Sequence, residues 1–328
     1  MRVLVVTNMY LSGNGNWVAE QVASLRAIGL DVDVIFFDTQ KTRLHYGLSF
    51  PRVVRAVAMG KHDILHTHHT YTLILVDLAR KLTGSRIPVV LTNHEPEAMD
   101  REGKTRTWHP TSHLRHSLRV KRFAARRADF VIYVSRQLSD ALSVNGRQAI
   151  IPCGVDLERF KPLDQRQCRQ QLGIPADKKV IFFPANPRNR RKRFELAQAA
   201  HGIVRNDLPS SLMLTGGGIS ADMMPLWYNA ADVVLQTSFC EASPTVVKEA
   251  LACEVPVIST DAGDTRDVVH DVPHCWVCSD DPRELATRIL EASSHRAVGA
   301  RKHLLEKELS LEQTGRRVMQ VYQRVLGG

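Results

Sequence analysis

The stretch that decides the fold is 233–259, which reads VVLQTSFCEASPTVVKEALACEVPVIS. It opens and closes with apolar runs, 233–236 and 255–259, each with the length of a buried strand. Between them Pro244 stands at an early helix position, and Ser243 or Thr245 is expected to cap that helix. A strand, a helix and a second strand in this order predict a parallel sheet.

The same alternation of apolar runs with helical segments extends along the whole chain. Further buried strands are expected at 3–6, 32–37, 63–66, 88–92, 130–134 and 149–151, and again at 179–183 and 212–215. The fold class is therefore expected to be α/β, with two Rossmann-like, doubly wound parallel-sheet domains, 1–153 and 154–309, facing a central cleft. The segment 310–328 carries a last amphipathic helix, which is expected to cross back to the first domain.

Composition limits the class of protein. The 328 residues are 44% hydrophobic and 24% charged, as in soluble globular proteins, and no apolar run reaches the ~18 residues that span a bilayer. The first residues, MRVLVVTN, lack a small-residue cleavage site, so they indicate a strand and not a signal peptide. Six cysteines, none before Cys153, form no disulfide framework, which favours a reducing cytoplasm.

The excess of positive charge lies almost entirely in the first half of the chain. Residues 1–150 hold 21 Lys and Arg against 12 Asp and Glu, whereas 151–328 hold 23 against 22, within a net charge of +10. Four arginines in the first half recur with helical spacing: Arg115, Arg119, Arg122 and Arg126. Such a helix face suits an anionic membrane surface or the acceptor side of a site. A solvated charged face or a phosphorylated soluble ligand explains the same pattern.

The run at 188–193 contains five cationic residues among six and follows the strand expected at 179–183. Cations at a strand-to-helix junction oppose the helix dipole unless the site binds an anion. Guanidinium and ammonium groups in this place suit a diphosphate. A solvated basic turn or a nucleic-acid patch is the alternative.

Two glutamates lie near the carboxyl end of the strand expected at 233–236. Glu241 precedes the helix, and Glu249 falls at least one turn inside it. A carboxylate can bind two adjacent hydroxyls, as on ribose or another sugar. Two surface glutamates without a ligand are the alternative reading of such a pair.

The spacing Glu241-x7-Glu249, followed by ALACEVPVIST at 250–260, resembles the donor-site signature of family-four glycosyltransferases, which are retaining enzymes of the GT-B architecture. Other stretches resemble the family in the same order: 12–16, 63–68, 90–94, 131–135 and 151–160. The resemblance implies a GT-B fold and transfer of a sugar from a UDP- or GDP-type nucleotide sugar to an acceptor hydroxyl. It further implies a role in cell-surface glycan or lipid-linked saccharide synthesis. The basic helix face predicts that the cytoplasmic protein binds peripherally at the inner face of the membrane.

The resemblance also implies site residues. Glu249 would bind the ribose of the donor and Glu241 the transferred sugar, while His94 would face the sugar ring from the first domain. The other donor-binding residues implied are Gly13, Gly15, Ser243, Pro244, Thr245 and Val246. Apart from the nucleotide-sugar co-substrate, no cofactor is implied.

Arg188 and Lys192 match the basic pair that neutralises the departing diphosphate in the family, so no metal is expected. Their spacing is one residue shorter than usual, so Arg191 or Arg193 could instead be the partner of Lys192. The catalytic set implied is therefore Lys192 and Arg188 together with His94 and Glu241.

Three positions depart from the family pattern. Ala242 and Glu254 stand near positions that usually hold glycine, and Cys153 replaces a common asparagine. A degenerate, non-catalytic transferase is therefore an alternative. A sugar-nucleotide epimerase or a phosphorylase on the same architecture is another. A basic nucleic-acid-binding protein is disfavoured by the 6% of aromatic residues.

Two clusters offer metal ligands without the usual arrangement. Cys275 and Cys278 lie near His270 and His274 with a spacing too compressed for a common zinc site. A second cluster, of the histidines at 62, 66, 68 and 69, lacks carboxylates. We expect buried thiols and packed or cleft-lining imidazoles in these places.

Overall fold

The computed structural model describes residues 1–8, 17–37, 45–98, 117–142, 144 and 146–327. The chain forms two compact units, Met1–Cys153 with Leu311–Gly328, and Gly154–Ser310. Each unit holds one sheet whose described strands pair in parallel. The expected α/β class with two parallel-sheet domains is therefore confirmed.

The first unit is built on a six-stranded sheet with the order β2-β1-β3-β4-β5-β6. Its elements are β1 (Arg2–Thr7), α1 (Trp17–Ala27), β2 (Asp31–Phe36), α2 (His45–Ala58), β3 (Ile64–Thr67), α3 (Thr70–Thr83), β4 (Val89–Asn93), α4 (Leu118–Ala125), β5 (Phe130–Tyr133), α5 (Arg136–Leu142) and β6 (Gln148–Ile150). Val3 and Val5 of β1 are fully buried and share a core with Val18 and Leu25 of α1. This core covers one face of the sheet.

The second unit holds a five-stranded sheet with the order β11-β10-β9-β7-β8. Its elements are α6 (Gln165–Leu172), β7 (Val180–Phe183), α7 (Phe194–Val204), β8 (Leu212–Thr215), α8 (Met224–Ala230), β9 (Val233–Gln236), α9 (Thr245–Ala252), β10 (Val257–Thr260), α10 (Thr265–Val269), β11 (Trp276–Cys278), α11 (Pro282–Ala292) and α12 (Ala300–Glu306). Val180 and Phe182 pack with α8 and α9, whereas Ile181 and Phe183 pack with α7 and α11. Both faces of β7 are therefore buried, which explains its continuous apolar sequence.

The last helix, α13 (Leu311–Gly327), packs against the first unit. Val318 and Tyr322 join the same core as α1, and the Ser24 hydroxyl donates to the Leu311 carbonyl at 2.6 Å. The Tyr322 hydroxyl and His66 Nδ1 are hydrogen-bonded at 2.6 Å. The apolar face of α13 is buried by these contacts.

β11 has no counterpart among the strands expected from the sequence, and no range was predicted for α2. Pro51 lies inside α2 and disfavours a helix, but Val53 and Val57 are buried and α2 packs on α3. β11 is three residues long and pairs with β10 at the edge of its sheet. Tertiary packing stabilises both elements against a weak local signal.

Glu95, in the loop after β4, joins three elements of the first unit. Its carboxylate accepts hydrogen bonds from Lys121 Nζ of α4 at 2.6 Å and from the Thr70 hydroxyl of α3 at 2.8 Å. His69 Nδ1 lies 3.1 Å from the other oxygen. Burial alone would raise the pKa of Glu95, but His69 and Lys121 lower it to about 2. A buried charge with this many partners fixes the loop that carries His94.

The lowered pKa of Glu95 predicts a loss of stability in acid. Its contribution is complete above the unfolded pKa of about 4.3 and is lost as the pH falls from there towards about 2. Urea unfolding at pH 7, 4 and 3 should therefore show a steeper decrease for wild type than for Glu95→Gln. The Glu95→Gln/Lys121→Met double variant removes both buried charges and should be equally flat. Parallel profiles for all three proteins would contradict this assignment.

Candidate functional site

The carboxyl ends of the central strands of the second sheet bring its candidate residues together. β7 leads into the basic run at 188–193, β9 leads into Glu241 and α9, and β10 leads into Gly263 and Asp264. Ligands of open parallel sheets bind beyond this edge. This edge of the second unit is therefore a candidate ligand site.

Hydrogen bonds between the β7 and β9 loops fix the basic run. Arg190–Lys192 forms a 3-10 turn, and Arg193 follows with a left-handed φ of 49°. Arg193 Nε donates to the Thr237 carbonyl at 2.7 Å, and its guanidinium is ion-paired with Asp280. The Thr237 hydroxyl donates to the Lys192 carbonyl at 2.8 Å. These contacts of Arg193 hold the loop in place.

Glu241 and Lys192 meet across these loops. Lys192 Nζ donates to Glu241 Oε1 at 2.5 Å, and Arg191 Nη2 lies 3.7 Å from Glu241 Oε2. Burial alone would raise the pKa of Glu241, but Lys192 and Arg191 lower it below its ordinary value. Arg188 and Arg190 are exposed on the same loop and have no ion-pair partner among the described residues. The loop thus offers cations beyond those that neutralise Glu241.

Glu249 lies in a different environment at the same edge. Its Oε2 accepts a hydrogen bond from the Tyr228 hydroxyl at 2.7 Å, and Thr245, which also carries a hydroxyl, lies one turn earlier in α9. Burial raises the pKa of Glu249 against the opposing effect of these hydroxyls and of Arg159. The pKa values of the two glutamates are therefore shifted in opposite directions.

Ser243 and Thr245 do not cap α9, contrary to expectation. The helix begins at Thr245 after Pro244, without a side-chain cap. The Ser243 hydroxyl instead donates to Asp264 Oδ2 at 2.8 Å, and Lys248 Nζ donates to the same oxygen at 2.7 Å and to Ser243 Oγ at 2.6 Å. Sequence reasoning missed Lys248 because a lysine is ordinarily exposed, whereas this one is fully buried. Its position within an apolar helix was the available signal.

Gly263 allows the β10 loop to lie directly against the Glu241 loop. Its φ is 66°, and a Cβ there would lie 2.8 Å from the Ala242 carbonyl oxygen and 2.9 Å from that of Glu241. Only glycine adopts this φ without strain and also leaves room for both carbonyls. The placement of Glu241 therefore depends on this close approach.

The first unit places His94 after β4 in a cluster of rings. His94 stacks on Trp17 with ring centroids 3.5 Å apart, and its Nε2 lies 3.4 Å from His68 Nδ1. Its Nδ1 lies 3.6 Å from Cys153 Sγ. Burial and the neighbouring histidines lower the pKa of His94 well below its ordinary value, so the ring is neutral at pH 7. Trp17 was missed as a partner because only the fold brings it beside His94.

Four other candidate metal ligands are buried and contribute to packing: His66, His68, Cys275 and Cys278. His66 Nε2 is hydrogen-bonded to the Thr92 hydroxyl at 2.7 Å, and burial lowers the pKa of His68 to about 3. Cys275 and Cys278 are buried, which raises the pKa of each thiol to about 12. Among the described residues, no group of three or more potential ligands could hold a metal ion.

Only part of the expected basic helix face is open to solvent. Arg119 and Arg126 are exposed, whereas Arg122 Nε donates to the Leu142 carbonyl at 2.6 Å and joins α4 to α5. None of the helices in the described part of the chain is long and apolar enough to cross a membrane. Three residues of the expected site lie outside the described residues: Gly13, Gly15 and Arg115. The structure does describe Val246, which is partly buried and packs against the hydrophobic core of the second unit.

Two family models match this chain. The model described as Glycosyltransferase Family 4 matches residues 2–159, and the model described as Glycosyl transferases group 1 matches residues 179–295. The chain is a family-4-like glycosyltransferase. The first model covers the histidine cluster around His94, and the second covers the edge where Glu241 meets Lys192.

Solved structures resemble the glycosyltransferase over nearly its whole length. Sucrose-phosphate synthase from Thermosynechococcus elongatus has a TM-score of 0.80 and 19% identity, with 100% of each chain covered. Anabaena Alr3699/HepE in complex with UDP-glucose has a TM-score of 0.72 and 17% identity, covering 98% of this chain and 99% of that chain. These likenesses show that the fold is GT-B, as expected.

A sequence relative adds a second comparison. The D-inositol 3-phosphate glycosyltransferase of Thermobispora bispora is 25% identical over 279 residues. The match covers 73% of this glycosyltransferase and 65% of that relative. This chain therefore spans slightly less than two thirds of the length of that relative.

The two departures from the family pattern in the second unit are accommodated by its structure. Glu254, where glycine is usual, has a left-handed φ of 55°. Its carboxylate accepts a hydrogen bond from the Gly299 N–H at 3.0 Å, and its carbonyl accepts one from the Ala297 N–H at 3.0 Å. Ala242 is buried, and its carbonyl faces Gly263. The hydrogen bonds of Glu254 offset the strain of its left-handed φ, and they lie outside the Glu241–Lys192 pair.

The close approach at Gly263 predicts that Gly263→Ala displaces Glu241. Gly173→Ala is a matched control, because its φ is also 66° but no atom lies within 4 Å of the added Cβ. Both variants should lose about 1 kcal/mol of stability from the left-handed φ. Only Gly263→Ala should also lower transferase activity, which a nucleotide-release assay measures. Equal activities in the two variants would show that the contact with the Glu241 loop is unimportant.

Proposed function

We propose that the protein is a retaining glycosyltransferase that moves a sugar from a UDP- or GDP-type nucleotide sugar to an acceptor hydroxyl. The observation that carries the proposal is the contact of Glu241 with Lys192 at the carboxyl edge of the second sheet, beside Arg191 and the exposed Arg188. A nucleotide-sugar donor is supported by the UDP-glucose complex of the structurally similar HepE. In this proposal Glu241 binds the transferred sugar and Glu249 the ribose.

Charge neutralisation explains how such a site would break the glycosidic bond. Negative charge develops on the diphosphate as it leaves, and preorganised cations stabilise that charge. An ammonium group has three donors, of which Lys192 uses one on Glu241, so the others are available to phosphate oxygens. Arg188 would supply a second cation. The proposed reaction therefore needs no metal.

Retention would follow from attack on the face that the phosphate leaves. Glu241 is held by two cations and its pKa is lowered, which makes its carboxylate a weak nucleophile. An acceptor hydroxyl on the same face as the departing phosphate could pass its proton to a phosphate oxygen as the new bond forms. The neutral His94 would face the sugar ring from the first unit.

A donor screen tests the proposal. Nucleoside diphosphate release is measured with UDP-, GDP-, ADP- and dTDP-sugars, with and without simple glycoside and polyol acceptors. NMR of the product then gives the anomeric configuration, which should match that of the donor. Conversion of the sugar nucleotide without any acceptor would indicate an epimerase instead. Inversion at the anomeric carbon would contradict retention.

The role of Lys192 predicts that Lys192→Ala lowers turnover more than donor affinity. Its cation should matter most when charge develops on the leaving phosphate, so a loss of about 10²–10³ in kcat is expected. Lys302→Ala is the control, because this exposed lysine pairs only with Glu306 among the described residues. Wild-type activity should survive EDTA. A raised KM with unchanged kcat, or loss in EDTA restored by manganese, would contradict the assignment.

The charge of the first unit suggests where the acceptor lies. We propose that the exposed Arg119 and Arg126 hold the cytoplasmic enzyme against an anionic leaflet, near a lipid-linked or other membrane-proximal acceptor. Arg122 is already bound to backbone carbonyls and takes no part. A soluble phosphorylated acceptor is the competing explanation, and the relative named for D-inositol 3-phosphate supports it.

Sedimentation with anionic liposomes separates these acceptors. Each basic residue near the surface contributes about 1 kcal/mol, so Arg119→Gln/Arg126→Gln should weaken binding about 30-fold at low salt. The control is Arg52→Gln/Arg55→Gln, which removes two exposed arginines from α2 of the same unit. Equal sedimentation of both double variants would reject the membrane surface and favour the soluble acceptor.

A further inference from the structure

The buried tyrosine of α8 is part of the carboxylate environment at the candidate donor site. The Tyr228 side chain is fully buried, and its hydroxyl donates to Glu249 Oε2 at 2.7 Å. Burial and the nearby carboxylate raise the pKa of Tyr228 well above its ordinary value, so the hydroxyl keeps its proton. The hydroxyl is therefore a permanent donor to one oxygen of Glu249.

Two aromatic rings hold Tyr228 in this position. The ring of Phe160 meets it edge-on with centroids 5.9 Å apart, and Phe182 of β7 meets it edge-on at 5.4 Å. Both neighbouring rings are themselves buried in the same core. The hydroxyl cannot follow Glu249 if that side chain turns, so it selects one orientation of the carboxylate.

Glu249 has acceptor positions left for a vicinal diol. A carboxylate has about four lone-pair positions. The Tyr228 hydroxyl occupies one of them, which leaves acceptor positions for two further donors. Glu249 is 8% exposed, so a small part of this residue is accessible to a ligand. The 2′ and 3′ hydroxyls of a ribose are two donors at adjacent carbons.

We propose that Tyr228 is a positioning residue that sets the carboxylate plane of Glu249 for the ribose diol of the donor nucleotide. The proposal rests on the proposed function, since it assumes that Glu249 binds this ribose. It assigns the discrimination between ribose and deoxyribose to a tyrosine that never touches the ligand. It also predicts that dTDP-sugars, which lack the 2′ hydroxyl, are poor donors.

Calorimetry with matched nucleotides tests this role. UDP and 2′,3′-dideoxy-UDP are titrated into wild type and Tyr228→Phe, with GDP and its dideoxy analogue in parallel. Wild type should bind the ribonucleotide at least about 10-fold more tightly than the dideoxy form, because hydrogen bonds to a charged group are lost. Tyr228→Phe should lose about 10-fold in affinity for the ribonucleotide and almost none for the dideoxy form.

The control variant is Tyr133→Phe in the first unit. Tyr133 is also fully buried, and its hydroxyl has no hydrogen-bond partner among the described residues. Its removal should leave both affinities unchanged. An equal loss for both nucleotides in Tyr228→Phe would indicate general damage to the site and would overturn the positioning role. Unchanged ribose preference in Tyr228→Phe would also overturn it.

A second variant covers the case in which Tyr228→Phe does not fold. Phe160→Leu removes one of the two ring contacts, so the Tyr228 hydroxyl is retained but held less firmly. It should reduce the preference for the ribonucleotide over the dideoxy form, and a preference equal to that of wild type would count against the proposal. Failure of wild type to bind any of the four nucleotides would refute the proposed function itself. That outcome is distinct from normal ribose preference with no effect of Tyr228.

Discussion

The ion pair between Glu241 and Lys192 is the interaction on which the candidate site of the second unit depends. It forms because the β7 and β9 loops are tied together by Thr237 and Arg193, and because Gly263 lets the β10 loop press against the Glu241 backbone. A buried carboxylate is costly unless it is paired, so the cations and the acid stabilise one another. The same cations are those that a diphosphate would need.

The pKa values of three other buried groups, Glu249, Glu95 and His94, are shifted by different causes. Glu249 is bonded to the neutral Tyr228 hydroxyl and burial raises its pKa, whereas Glu95 is held by Lys121 and its pKa falls to about 2. His94 remains neutral because burial and the neighbouring histidines lower its pKa well below the ordinary value. In each unit a carboxylate of lowered pKa, Glu95 or Glu241, thus lies near a group whose pKa shift disfavours charge, His94 or Glu249. This division fits a reaction in which charge develops on the substrate and is met by fixed cations.

Much of the fold could be predicted from local sequence, and parts of the site could not. Continuous apolar runs such as 180–183 are buried on both faces, so their pattern directly reports a central parallel strand. Pro51 weakens the local signal of α2, and packing on α3 stabilises this helix. Ser243 was expected to cap α9, but its hydroxyl bonds to Asp264, which lies 21 residues away. Hydrogen bonds between residues so far apart produce no sequence spacing from which they could be predicted.

The sequence by itself determined the two parallel sheets, the family and the residue types at the donor edge, because strand burial and short motifs are local properties. Only the tertiary structure decided which cation meets which acid. Arg193 and Lys192 are adjacent, yet one is bound to Asp280 and the other to Glu241. It also decided that Lys248 is buried and that Tyr228 holds Glu249. The physical reason is that hydrogen bonds and pKa values depend on distances and burial, which arise only when separate segments pack together.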